Sequence, residues 1–193
     1  LNPVQPDYAG FVFAGMSRRY ITPAKAEQLI KKLSPQIQKV GVFVDEQSAV
    51  IENLVRNLPL DVVQLHGNED EATVQRIKQT TKAKVWKAVR VKNSGDIDKW
   101  QDSSADMLLF DTYSKDSYGG TGEIFNWQLL QNIKRPFILA GGLNTQNIAR
   151  AIRTCRPYGV DISSGAETDY IKDKRKIKQL MLTIRKVDNH DYR

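Results

Sequence analysis

The sequence predicts an α/β fold of the (βα)8 barrel class, a ring of parallel strands with helices outside it. Three observations predict it. Short β-branched runs alternate with longer amphipathic stretches. The runs are short and mostly apolar rather than alternating, as strands buried on both faces are. Polar or glycine residues follow nearly every run, so chemistry is spread over many strand ends, as on the C-terminal face of a barrel.

Taken in order, the strand-like runs fall at residues 10–13, 40–44, 62–65, 85–91, 107–110, 137–140 and 159–162. Helical patterns lie between them. Thr22-Pro23 supplies an N-cap and first-turn proline for a helix through Ala26, Leu29, Ile30 and Leu33. Asn144-Thr145 opens another through Ile148, Ala149 and Ile152. Near the end, Ile171, Ile177, Leu180 and Ile184 form the apolar face of a helix. No glycine-rich turn follows the first strand, which argues against a dinucleotide-binding open sheet. The whole chain, 1–193, reads as one barrel domain.

Composition narrows the class. With 40% apolar and 26% charged residues the chain reads as one ordinary soluble domain. It has no membrane-length apolar run and no signal-peptide pattern, and the lone Cys155 permits neither a disulfide nor a cysteine metal cluster. A cytoplasmic protein is expected. The net charge of +7 gathers on the last helix in Lys172, Lys174, Arg175, Lys176, Lys178, Arg185 and Lys186. That is a solvated face with too few aromatics to stack bases, so neither nucleic acid nor membrane is an expected partner.

Candidate chemistry sits after the strands. Ala140-Gly141-Gly142-Leu143 and Ser163-Ser164-Gly165 each join a strand to a helix. Glycines there make a tight turn or let backbone N–H groups hold a phosphate, and two such loops in adjacent units favour phosphate. Asp111 ends a buried run, where a carboxylate either caps the next turn or works as a general acid raised by partial desolvation. Downstream, Tyr118-Gly119-Gly120-Thr121-Gly122 offers a covering loop without a P-loop lysine. Of Arg18 and Arg19, one suits bidentate contact with a substrate carboxylate. Gln64 and His66 end another strand as loop residues or substrate contacts, whereas His190 lies in a polar tail. Lys87 interrupts an apolar strand, as a paired interior lysine or a Schiff-base nucleophile; the pairing is preferred. No histidine-carboxylate cluster suggests a metal site.

These blocks occur in a specific order. Gly10-Phe11-Val12-Phe13, Ser17-Arg18-Arg19-Tyr20, Val40-Gly41-Val42-Phe43, Gln64-Leu65-His66-Gly67, Asp111-Thr112, Gly119-Gly120-Thr121-Gly122, Ala140-Gly141-Gly142-Leu143 and Val160-Asp161-Ile162-Ser163-Ser164-Gly165-Ala166-Glu167 follow one another. Together the set resembles the phosphoribosylanthranilate isomerase family, from its second strand to its end. The resemblance implies a TIM barrel and a cofactor-free Amadori rearrangement of N-(5-phosphoribosyl)anthranilate in tryptophan biosynthesis. It implies Asp111 as general acid, Arg19 on the anthranilate carboxylate and Asp161 facing the anthranilate amino group. Gln64 and His66 would bind substrate, and Gly141, Gly142, Ser164 and Gly165 the phosphate. The partner is then a small phosphosugar, and the enzyme is expected to be a monomer.

The chain departs from the family in one place. The family's base is a cysteine in a Lys-x-Cys-Gly motif on the first strand, which this sequence does not contain; Cys155, at a helix end, is read as a packed residue. Seven strand-helix units are visible where a closed barrel needs eight. Both gaps are met if a first unit belongs upstream of Leu1, and the 193-residue form alone is then expected to be inactive and poorly stable. The alternatives are a non-catalytic sugar-phosphate-binding remnant, or a related phosphate-binding barrel such as indole-glycerol-phosphate synthase.

Overall fold

The computed structural model describes residues 1–112, 127–130 and 133–191. Seven strands form one sheet in chain order: β1 (Tyr8–Val12), β2 (Gln38–Phe43), β3 (Val62–Leu65), β4 (Lys84–Val91), β5 (Met107–Thr112), β6 (Phe137–Leu139) and β7 (Gly159–Val160). β1 to β4 pair in parallel, as do β6 and β7. Between strands run α1 (Pro23–Ile30), α2 (Ser48–Asn57), α3 (Glu71–Thr80), α4 (Ser94–Asp98) and α5 (Ile148–Cys155). A short antiparallel hairpin, β8 (Glu167–Thr168) and β9 (Ile171–Lys172), leads into α6 (Lys174–Asp191). No helix of the described residues is long and apolar enough to cross a membrane.

Two compact units are distinguished: Leu1–Ala88 with Ser103–Leu108, and Val89–Asp102 with Leu109–Arg193. In the first, Val62, Val63 and Leu65 are wholly buried, so β3 is covered on both faces. Ala26, Ile51, Val74 and Ile77 bring α1, α2 and α3 into the core. Thr22 caps α1 by accepting the Lys25 N–H, with Pro23 in the first turn, and Asp70 caps α3 through the Thr73 N–H. In the second unit, Phe110 meets Phe137 edge-on at 5.4 Å. Ile148, Ala151, Ile152 and Cys155 form the buried stripe of α5, and Leu180 and Val187 that of α6.

All seven expected strands are present, but several ends move. β1 starts earlier, at Tyr8, because its register with β2 begins at Tyr8 and Gln38. β7 stops at Val160, and the backbone turns sharply at Ser163 (φ −103°, ψ −87°). α1 ends at Ile30 rather than continuing through Leu33. α5 begins at Ile148 rather than at Asn144, since Asn147 Oδ1 takes the Asn144 N–H and Asn144 Oδ1 the Gln146 N–H, which closes a separate turn. Ile171 leaves the apolar face expected for the last helix: it lies exposed in β9, because Asp173 caps α6 by accepting the Arg175 and Lys176 N–H groups. His190 belongs to α6 rather than to a tail.

Candidate active site

In the first unit, the loop after β1 doubles back on its own strand. Ile21 N–H donates to Val12 O at 2.9 Å, and turns close from Ser17 N–H to Ala14 O and from Tyr20 N–H to Ser17 O. Ser17 Oγ takes the Arg19 N–H, and the Arg18 and Arg19 side chains are exposed. Two strands on, Gln64 is buried in a row with Val42 and Trp86. Its Nε2 lies 2.8 Å from Nδ1 of half-buried His66. With the amide nitrogen as donor, Nδ1 accepts and the neutral imidazole carries its proton on Nε2.

Beside them is a pair whose acidic half the sequence reading missed. Lys87 Nζ lies 2.7 Å from Glu69 Oε2, with both side chains buried. Lys87 is thus the paired interior lysine. Glu69 lies just before α3, between exposed Asn68 and Asp70, and is itself buried.

In the second unit, half-buried Asp111 follows Phe110, whose carbonyl accepts the Ala140 N–H at 2.9 Å. Half-buried Asp161 follows β7, with its N–H on Leu139 O at 2.9 Å. The two carboxylates therefore end the strands on either side of β6. β6 itself runs into Gly141 and Gly142, with φ of +85° and +61°, a region that favours glycine. Asn144 and Asn147 side-chain amides both hold the Gly142 carbonyl, at 3.2 and 3.0 Å.

The loop after β7 closes against the loop after β6: a Cβ on Gly165 would collide with the Leu143 carbonyl. Lys172 Nζ donates to Ser163 O at 3.0 Å. Across a trans peptide, this directs the Ser164 N–H to the opposite side. Among the described residues, the N–H groups of Gly141, Gly142, Ser164 and Gly165 have no hydrogen-bond partner. Four such groups on two touching loops are donors of the kind that suit an anion.

Cys155 ends α5, buried, with Sγ 4.0 Å from Trp127 O. Burial pushes its thiol up to about 12, the opposite of what a base needs. A cavity of about 650 Å3 lined by Arg135, Phe137, Arg153 and Tyr158 opens at the N-terminal ends of β6 and β7, away from Asp111 and Asp161. The glycine loop at 118–122 lies outside the described residues.

Comparison with known proteins adds four findings. The family model described as N-(5'phosphoribosyl)anthranilate (PRA) isomerase matches residues 2–182. An N-(5'-phosphoribosyl)anthranilate isomerase of Endomicrobium trichonymphae is 48% identical over 187 residues, 96% of this chain and 90% of that protein. Among solved structures, a phosphoribosyl anthranilate isomerase from Thermotoga maritima superposes with a TM-score of 0.87 at 35% identity, covering 95% of this chain and 90% of that one. Another, solved in complex with reduced 1-(o-carboxyphenylamino)-1-deoxyribulose 5-phosphate, gives 0.83 at 32% identity, with 95% and 90% covered. With a match that spans nearly its whole length, this chain belongs to the N-(5'phosphoribosyl)anthranilate isomerase family.

Proposed function

We propose that the protein catalyses the Amadori rearrangement of N-(5-phosphoribosyl)anthranilate to 1-(2-carboxyphenylamino)-1-deoxyribulose 5-phosphate in tryptophan biosynthesis. The family match over residues 2–182 carries this reading. The product analogue bound to a relative supports the substrate, and the unpaired N–H groups at Gly141, Gly142, Ser164 and Gly165 support its phosphate end. The curl that brings Tyr8 onto Trp86 supports a barrel-like sheet in the first unit. The proposed enzyme acts as a cytoplasmic monomer on a soluble phosphosugar.

In the proposed reaction, Asp111 donates a proton to the furanose ring oxygen as the C1′–O bond breaks, and the anilino nitrogen's lone pair forms the Schiff base. A base then takes the C2′ proton. The resulting enolamine tautomerises to the ketone. Arg19 holds the anthranilate carboxylate, Asp161 faces the anilino nitrogen, and Gln64 and His66 contact the substrate. The base is a group other than Cys155, whose buried thiol stays protonated. No metal or organic cofactor enters any step.

Turnover is followed as loss of anthranilate fluorescence. Asp111→Asn is expected to lower kcat about 10²–10⁴-fold, the range for losing a general acid. Turnover close to that of the parent would remove Asp111 from the role.

A further inference from the structure

The Glu69–Lys87 pair takes no part in those steps, yet its side chains are only 3% and 2% exposed. Desolvating two charges is costly, and an apolar pair of similar volume often serves stability equally well. Stability is therefore a poor account of why the charges are here. Their backbone bonds give a better one. Glu69 Oε1 accepts the Asp45 N–H and Oε2 the Gly67 N–H, each at 2.8 Å. Lys87 Nζ donates to Gly67 O at 2.8 Å and makes a longer contact to Leu65 O at 3.5 Å.

These bonds converge on one residue. Gly67, after His66, is gripped through both its N–H and its carbonyl; Leu65, before it, touches the same ammonium. The His66 N–H is held by Phe43 O at 2.8 Å. With the backbone fixed on both sides, Gln64 sets the ring by reaching Nδ1. Because Glu69 also holds Asp45, the end of β2 is tied to the end of β3 through the same carboxylate.

We propose that Glu69 and Lys87 are positioning residues that fix the backbone around His66 and so hold its Nε2-protonated imidazole for the substrate. The inference rests on the reading of His66 as a substrate-binding residue. Glu69→Gln is a near-isosteric test, because its amide must turn an NH2 toward one of the two N–H groups the carboxylate accepts. The double variant Glu69→Leu/Lys87→Met removes both charges together and leaves no buried ion unpaired.

Two readings separate positioning from mere support. With only two histidines in the chain, ring 15N spectra resolve His66, and His190 serves as internal control. In the parent, the His66 nitrogens should show one fixed tautomer. In both variants, folded by circular dichroism, they should move toward the tautomer average, while KM rises about tenfold and kcat changes less than about threefold. Should the double variant not fold, Glu69→Gln decides alone. Unchanged His66 signals overturn the proposal, whatever KM does. Shifted signals with unchanged KM uphold the positioning and remove His66 from the substrate site instead.

Discussion

Tyr8 stands edge-on against Trp86, with ring centroids 4.8 Å apart and planes inclined at 66°. Tyr8 opens β1 and Trp86 lies in β4, three places along the sheet. Flat strands at their usual spacing would hold the two about 14 Å apart. Within this unit the sheet curls until side chains on its inner face meet. Trp86→Ala should therefore cost about 3–5 kcal/mol, as for other buried aromatic truncations. Tyr8→Phe, which keeps the ring, should cost less than about 1.5 kcal/mol. Urea unfolding followed by circular dichroism measures both, and a Trp86→Ala loss below that of Tyr8→Phe would contradict the contact.

That curl was only indirectly legible in the sequence. Val62, Val63 and Leu65 mark a strand because both faces of a parallel strand are buried, but curvature follows from the register of several strands together. Asp111 was visible as a polar residue ending an apolar run, whereas Asp161 sat inside the expected 159–162 run and was singled out only by the family resemblance, from which the roles proposed for both are drawn. The start of α5 was placed too early because Asn144 has the composition of a cap, while its side chain takes the Gln146 N–H in a separate turn that only the fold reveals. Glu69 was missed because its burial depends on Lys87, distant in sequence.

The two glycine loops should respond differently to an added methyl group. At Gly142 a Cβ meets nothing within 4 Å, so Gly142→Ala carries chiefly the cost of its positive φ, about 1–2 kcal/mol. At Gly165 the Cβ would strike the Leu143 carbonyl, so the loops must part. Gly165→Ala should lose more stability and weaken competitive inhibition by inorganic phosphate more than Gly142→Ala does. Denaturation midpoints and phosphate inhibition constants test that ranking; equal effects would contradict the packing of the two loops.

Asp106 supplies an acid-sensitive tie. Burial pushes its carboxyl up, but Lys78 Nζ at 2.6 Å and the Val85 N–H at 2.7 Å outweigh this and hold it below its ordinary 3.8. A depressed carboxylate contributes stability that is fully present above the unfolded value, and loses it as pH falls through the folded one. Asp106→Asn should lower stability at pH 7 and reduce its fall below about pH 3.8. Chemical denaturation from pH 7 to pH 2 reads the difference, and parallel parent and variant profiles would exclude the tie.

Cys155 should behave as packing rather than as chemistry. Burial raises its thiol from 9.0 to about 12, so at pH 8 the folded protein presents almost no thiolate to a disulfide reagent. Ellman's reagent should react at a rate set by unfolding and become fast only in denaturant. The sign at alkaline pH follows from the same shift: the contribution is intact below 9.0 and fades as pH rises toward about 12, where the folded thiol also ionises. Cys155→Ala should flatten that alkaline loss while leaving kcat unchanged. Rapid labelling of the native protein, or a fall in kcat at constant folded fraction, would mean that the thiol reaches a reacting group and is not merely buried against Trp127.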